Sequence, residues 1–162
     1  MNSDCLKASN YSVAPIPESC WEELARGCQA LGLQLEEDKR ERLQALYSHL
    51  VGVNRLLNLT RLTTPRQYIV QHVLDSLTAV DDVAEFCAPG SLCVDLGSGG
   101  GYPGLPLVLW LPRRHWILLD SKQKKAAFLA EALRLTGNEW ARACAFRARE
   151  LYHACPERQE KA

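Results

Sequence analysis

Apolar positions change their period once along these 162 residues, close to residue 90. Before that point they recur at helical spacing; after it, short apolar runs alternate with segments of helix length. Ser19 with Glu22 forms a capping-box pattern that opens a helix running to Leu31, where Gly32 stops it. A second helix is predicted from about Glu36 to Leu57. Its apolar stripe is Leu43, Leu46, Tyr47, Leu50, Val51 and Leu57, opposite a charged face of Glu37, Lys39, Arg40, Glu41 and Arg42. Asn58-Leu59-Thr60 is a polar break. Thr64-Pro65-Arg66-Gln67 then offers another capping box with proline at the first helical position. The helix it opens, Pro65 to about Val80, turns Ile69, Val73, Leu74 and Leu77 inward. Residues 1–16, mixed in polarity, read as a loose arm.

From Leu92 the pattern is that of β-α-β units. Leu92–Leu96 is a predicted strand, Pro103–Leu111 a short helix, and Trp116–Asp120 a second strand ending on an acid. Lys122–Leu135 is a helix that Ser121 caps and Gly137 ends, and Trp140–Phe146 is a weaker third strand. Strands separated by helices of this length imply a parallel sheet. The expected architecture is α/β: a helical portion (residues 17–88) ahead of a partial parallel sheet (residues 89–162), together one domain. The length and a hydrophobic content of 47% suit a single packed core.

Charge changes this picture only locally. The net charge is zero, but residues 1–110 carry 8 Lys/Arg against 13 Asp/Glu and residues 111–162 carry 11 against 6. A basic second part is compatible with a polyanionic partner and equally with solvated helix faces. Seven cysteines form no C-x-x-C pair and no metal-type spacing with histidine. Met1 to Pro15 lacks the apolar core of a signal peptide, and no apolar run approaches the ~20 residues of a bilayer span. Reduced thiols in a cytoplasmic protein without a membrane segment are therefore expected.

The densest chemistry lies at Asp95-Leu96-Gly97-Ser98-Gly99-Gly100-Gly101-Tyr102-Pro103-Gly104. A strand ending in a glycine-rich turn lets a nucleotide-like ligand approach the backbone. Read from Gly99, Gly99-x-Gly101-x-x-Gly104 matches the dinucleotide fingerprint, with Asp120 after the next strand for ribose hydroxyls. That frame implies a nicotinamide-dependent oxidoreductase. Read from Asp95, the acid stands two residues before the first glycine, beside the place a pyrophosphate needs. Pro103 also removes an N–H from that turn. A cationic methyl donor such as S-adenosylmethionine tolerates the acid and needs no phosphate cradle, and these features favour it.

These residues resemble a known family. Asn58-Leu59-Thr60, Gln71-His72-Val73-Leu74-Asp75-Ser76, the Asp95–Pro106 loop, Leu119-Asp120-Ser121-Lys122 and Lys124-Lys125-Ala126-Ala127-Phe128-Leu129 look like the 16S ribosomal RNA guanine-N7 methyltransferase G family. Order and spacing match over about residues 20–151. The resemblance implies a Rossmann-like fold using S-adenosylmethionine, in a cytoplasmic monomer that acts on the small ribosomal subunit. It assigns Asp95, Gly97, Gly99, Gly101, Tyr102 and Asp120 to the donor, with Ala148 and Arg149 at the adenine. It assigns Asn58, His72, Asp75 and Arg147 to the substrate pocket. Gln71 stands where the family carries Arg, and Arg149 where it carries Glu.

The residue chemistry agrees with that assignment. Guanine N7 offers a free lone pair, so its methylation needs no general base and rests on positioning. His72 and Asp75, three apart on one predicted helix, share a face. Lys122, Lys124 and Lys125 suit either RNA phosphates or a solvated helix start. Family members continue beyond a segment like His153–Ala162 into the rest of the sheet, so a partial chain with impaired catalysis is expected. A nicotinamide-dependent fragment and a non-catalytic rRNA-binding remnant are the alternatives.

Overall fold

The computed structural model describes residues 3–147. Helix α1 (Glu18–Ala30) begins one residue ahead of the expected cap, with Pro17 as N-cap and Ser19 inside the first turn, so the Ser19–Glu22 box does not form. The proline already holds the φ a helix needs, −59°, and its carbonyl accepts the Cys20 N–H at 2.9 Å. Gly32, at φ +68°, closes the other end as anticipated: the Leu33 N–H reaches the Cys28 carbonyl at 2.8 Å and the Gly32 N–H reaches that of Gln29 at 3.1 Å.

Helix α2 (Glu37–Leu57) buries Leu43, Leu46, Tyr47 and Leu50 as the stripe predicts, and adds Val53 and His49. Each fully buried leucine contributes about 1.5–3 kcal/mol, so this face dominates the helix's stability. The helix ends where Asn58 turns left-handed at φ 48°. The Thr64 capping box forms and opens α3 (Pro65–Gln67). The expected uninterrupted helix does not follow. Residues Tyr68–Leu74 wind as a π-helical segment before α4 (Asp75–Leu77) and α5 (Val80–Phe86). The wider turn keeps Tyr68, Ile69 and Val73 fully buried while Gln71, His72 and Asp75 line a common cleft.

Strands β1 (Leu92–Leu96), β2 (His115–Leu119) and β3 (Ala141–Cys144) form a parallel sheet in that order, with α6 (Gly104–Trp110) and α7 (Gln123–Thr136) as crossovers. Val94 lies opposite Ile117, and Ile117 opposite Arg142. Ser121 is not the cap of α7. Lys122 holds that place, and the Asp120 carboxylate, one residue closer to the strand, accepts the Lys122 N–H at 2.8 Å. Gly137 ends the helix at φ +67° as expected.

One buried cluster joins α1, α2 and the π-helical segment to Cys93, Trp116 and Leu118 of the sheet and to α6 and α7. The sheet's other face carries Leu92 and Leu96, which are 50% and 59% exposed. Among the described residues β1 pairs with β2 alone. Residues 3–16 are anchored on the helices. Leu6 and Ile16 are buried, the Ala8 N–H donates to Glu131 Oε1 at 2.9 Å, and the Ile16 N–H donates to Gln44 Oε1 at 2.7 Å. No helix is long and apolar enough to cross a membrane.

Candidate functional site

The glycine turn after β1 contains two kinds of glycine. A Cβ at Gly101 would collide with Leu105 Cδ1, and one at Gly104 would stand 2.6 Å from Asp95 Oδ2, so these two let the loop close on itself. Gly97 and Gly99 have positive φ, 77° and 58°, but open space beside them: no atom lies within 4 Å of a Cβ at Gly97, and a backbone oxygen at 3.7 Å is the nearest at Gly99. The inner pair makes the turn tight and the outer pair leaves room for a ligand against the backbone.

Both acids flanking the turn hold it in shape. Asp95 Oδ2 accepts the Ser98 hydroxyl at 2.6 Å and the N–H of Gly104, the first residue of α6, at 3.1 Å. A carboxylate thus already sits at the start of that helix, where a pyrophosphate would have to lie. Asp120, 8% exposed, ties the second strand to the loop through Oδ2, which accepts the Gly99 N–H at 3.2 Å. Its Oδ1 holds the Lys122 N–H. The Leu119 carbonyl takes the N–H groups of both Gly97 and Ser98 at 2.8 Å. The ends of two adjacent strands are therefore tied together around Gly97 and Gly99, with carboxylates on both sides.

Beside this loop lies a cleft of about 490 Å³ between the helical portion and Gly100-Gly101-Tyr102, lined by Thr60, Gln71, His72, Asp75, Gly100 and Tyr102 among others. The His72 imidazole stacks on the Tyr102 ring, with centroids 4.3 Å apart and planes at 20°. Tyr68 meets Tyr102 edge-on at 6.0 Å. Burial lowers the His72 pKa and Asp75 pulls it back up, with burial the larger effect. The ring is therefore neutral near pH 7. Its Nε2 lies 2.9 Å from Thr60 Oγ1, which also accepts the Leu62 N–H at 3.0 Å. A neutral imidazole fits this arrangement with the threonine hydroxyl donating to Nε2.

Thr60 is itself clamped from α2. Asn54 Nδ2 donates to the Thr60 carbonyl at 3.0 Å, and Asn54 Oδ1 accepts the Thr60 N–H at 2.9 Å. The left-handed Asn58 reverses the chain between them, and its N–H closes on the Asn54 carbonyl at 2.9 Å. A connected set of contacts thus runs from α2 through Asn54 and Thr60 to His72 and onto the glycine loop at Tyr102. The ring stack and the oriented imidazole form a flat, partly apolar wall suited to a planar heterocycle.

Of the residues singled out in the sequence, Asp95, Gly97, Gly99, Gly101 and Asp120 come together around the turn, and His72, Asp75 and Tyr102 in the adjoining cleft. Asn58 is exposed and ends α2; the asparagine that reaches the cleft's framework is Asn54. Arg147 is exposed beyond β3, and Ala148 and Arg149 lie outside the described residues. The sequence patterns do not mark Asn54, Thr60, Ser98 or Tyr68 as site residues. The signal for the first two was present in the polar Asn58-Leu59-Thr60 break, because a helix followed by a tight reversal brings its last turn back against the residues after it.

Comparison with known proteins bears on the same residues. The family model described as rRNA small subunit methyltransferase G matches residues 39–160. A ribosomal RNA small subunit methyltransferase G of Ectopseudomonas mendocina (strain ymp) is 43% identical over 110 residues, covering 68% of this chain and 50% of that protein. Proteins of the same name from Stutzerimonas stutzeri (strain A1501) and Myxococcus xanthus (strain DK1622) are 41% and 39% identical over 116 and 127 residues. Those matches cover 72% and 78% of this chain, and 53% and 57% of the relatives. The chain spans about half the length of the curated relatives it matches.

Proposed function

The chain belongs to the rRNA small subunit methyltransferase G family, and from that premise we propose that it carries the donor pocket and acceptor cleft of an enzyme methylating N7 of a guanine in 16S rRNA. The donor in this reading is S-adenosylmethionine, and the setting is a cytoplasmic monomer meeting the small ribosomal subunit. Residues 89–147 carry the donor side, and the helical residues 17–88 supply the acceptor wall together with Tyr102.

The observation that carries the reading is the bond from the Gly104 N–H to Asp95 Oδ2. It fills the start of α6 with negative charge, which disfavours a phosphate-bearing cofactor and favours a cationic one. The open backbone at Gly97 and Gly99 gives such a ligand its seat. Asp120, whose two oxygens each hold one backbone N–H, keeps further lone pairs for hydroxyl donors at the end of β2. The donor supplies an electrophilic methyl group on a cationic sulfur. The chain's own residues position the acceptor: the His72–Tyr102 stack offers a flat wall, and Thr60 fixes the imidazole's orientation. Guanine N7 presents its lone pair without losing a proton, so placement is the contribution required of this cleft.

The test is calorimetric titration with S-adenosylmethionine, paired with methyl transfer from labelled donor to small ribosomal subunits lacking the modification. Binding with label recovered at guanine N7 is the expected result. Binding of NADH with no affinity for S-adenosylmethionine would overturn the reading.

A further inference from the structure

We propose that the groove where the end of α2 meets the start of α7 is a docking surface for RNA phosphates, which specifies, within the rRNA-substrate reading on which it rests, the side from which the nucleic acid approaches. Leu56 and Leu57 of α2 and residues 122–125 at the start of α7 line one groove of about 460 Å³. Its charge is all of one sign: Lys122, Lys124 and Lys125 stand within four positions, and the first turn of α7 contains no acid. Arg55, exposed, stands in the last turn of α2 next to Leu56.

Folding alone disfavours this arrangement. The start of a helix carries partial positive charge, so each cation placed there is disfavoured, and the lysines also repel one another. Six of the described cations outside the groove, Lys7, Lys39, Arg40, Arg42, Arg66 and Arg134, each face a carboxylate. No ion pair among the described residues includes Arg55, Lys122, Lys124 or Lys125. A polyanion laid along the groove supplies the missing negative charge. Leu56, 46% exposed, offers apolar surface to a sugar or an unstacked base.

The groove is also in the right place. The Lys122 N–H is held by Asp120, whose other oxygen holds the Gly99 N–H, so the basic segment leads directly from the glycine turn. An RNA strand seated on the lysines therefore runs past the donor pocket. Protein partners with apolar anchors suit the groove poorly, because three lysines line it beside a single exposed leucine.

The experiment compares the full chain with a Lys124→Gln/Lys125→Gln variant in binding to unmodified 16S rRNA transcribed in vitro, from 50 to 200 mM KCl. Lys122 is left intact because its backbone holds Asp120. With about 0.7 counterions released per phosphate contact on single-stranded RNA, removing two contacts lowers the salt slope by about 1.4. The parent's affinity advantage then shrinks about sevenfold across that range. A Lys124→Arg/Lys125→Arg variant is expected to restore the slope, with S-adenosylmethionine affinity the same in all three chains. An unchanged slope in the glutamine variant overturns the proposal. So does a parent that fails to bind the RNA, or one that prefers phosphatidylserine vesicles to it. RNA binding through the lysines without donor binding or methyl transfer would instead keep the groove and sink the catalytic reading.

Discussion

Replacing Asp95 with asparagine separates the two roles the carboxylate plays. Asparagine keeps the shape and one acceptor oxygen, so the Ser98 hydroxyl and the Gly104 N–H still find a partner. What is lost is charge. Hydrogen bonds to a charged group contribute about 1.5–3 kcal/mol against about 0.5–1.5 for neutral ones, and Asp95 is only half-buried, so the expected destabilisation is about 1–2 kcal/mol. For a chain of this size that lowers Tm by roughly 2–8 °C, measurable by calorimetric or fluorescence melting. Donor affinity falls by a separate route. An attraction of about 1.4 kcal/mol between a half-buried carboxylate and a cationic ligand, within the range between exposed and buried pairs, is about tenfold in Kd. Ser98→Ala serves as the control: it removes one bond to the carboxylate and lowers Tm, but leaves the charge and hence the donor Kd nearly unchanged. An Asp95→Asn chain that binds S-adenosylmethionine as tightly as the parent would refute the reasoning, since the acid would then be a loop brace and nothing more.

Three further outcomes follow from the same geometry. Thr60→Val removes the hydroxyl that orients His72 and accepts the Leu62 N–H; it is expected to cost about 1–3 kcal/mol and to lower methyl transfer while donor Kd stays the same. Asn58→Ala puts a residue with a Cβ but no polar side chain into a left-handed position at φ 48°, so a urea melt should show a loss of about 1 kcal/mol, whereas Asn58→Gly should be close to neutral; a loss of methyl transfer with unchanged stability in the glycine variant would instead give Asn58 a direct substrate role. His49 is fully buried against Phe128, its Nδ1 has no hydrogen-bond partner among the described residues, and burial lowers its pKa against the opposing pull of the Phe128 carbonyl and Glu131. The unfolded chain therefore binds more protons than the folded one below about pH 6.5, and stability is intact above that pH and lost as pH falls below it. His72 acts in the same direction. Urea midpoints between pH 7.5 and 5 should drop less steeply for His49→Leu than for the parent, and parallel curves would contradict the assignment.

The parts of the fold legible in the sequence are those set by local rules. The three strands, the glycine terminators at Gly32 and Gly137, and the Thr64 box each depend on a few consecutive residues. The two caps that failed, Ser19 and Ser121, failed because a neighbour supplied a better solution: a preset proline in one case and a strand-end carboxylate in the other. The site divides along the same line. Asp95, Asp120 and the glycines lie at the ends of predicted strands, and parallel pairing brings such ends together without further information. The cleft was less legible because it depends on two departures from regular geometry. A left-handed residue at Asn58 folds Thr60 back onto Asn54, and a π-helical segment reorients His72 towards Tyr102. Neither leaves a mark on hydrophobic periodicity, since Ile69, Val73 and Leu77 read as an ordinary helical stripe and are buried as one. The helical portion is therefore part of the candidate site and not only a support for the sheet: it supplies the Asn54–Thr60–His72 connection that meets the glycine turn at a single ring. A change in α2 that leaves the core intact, such as Asn54→Ala, should consequently disturb acceptor placement before it disturbs donor binding.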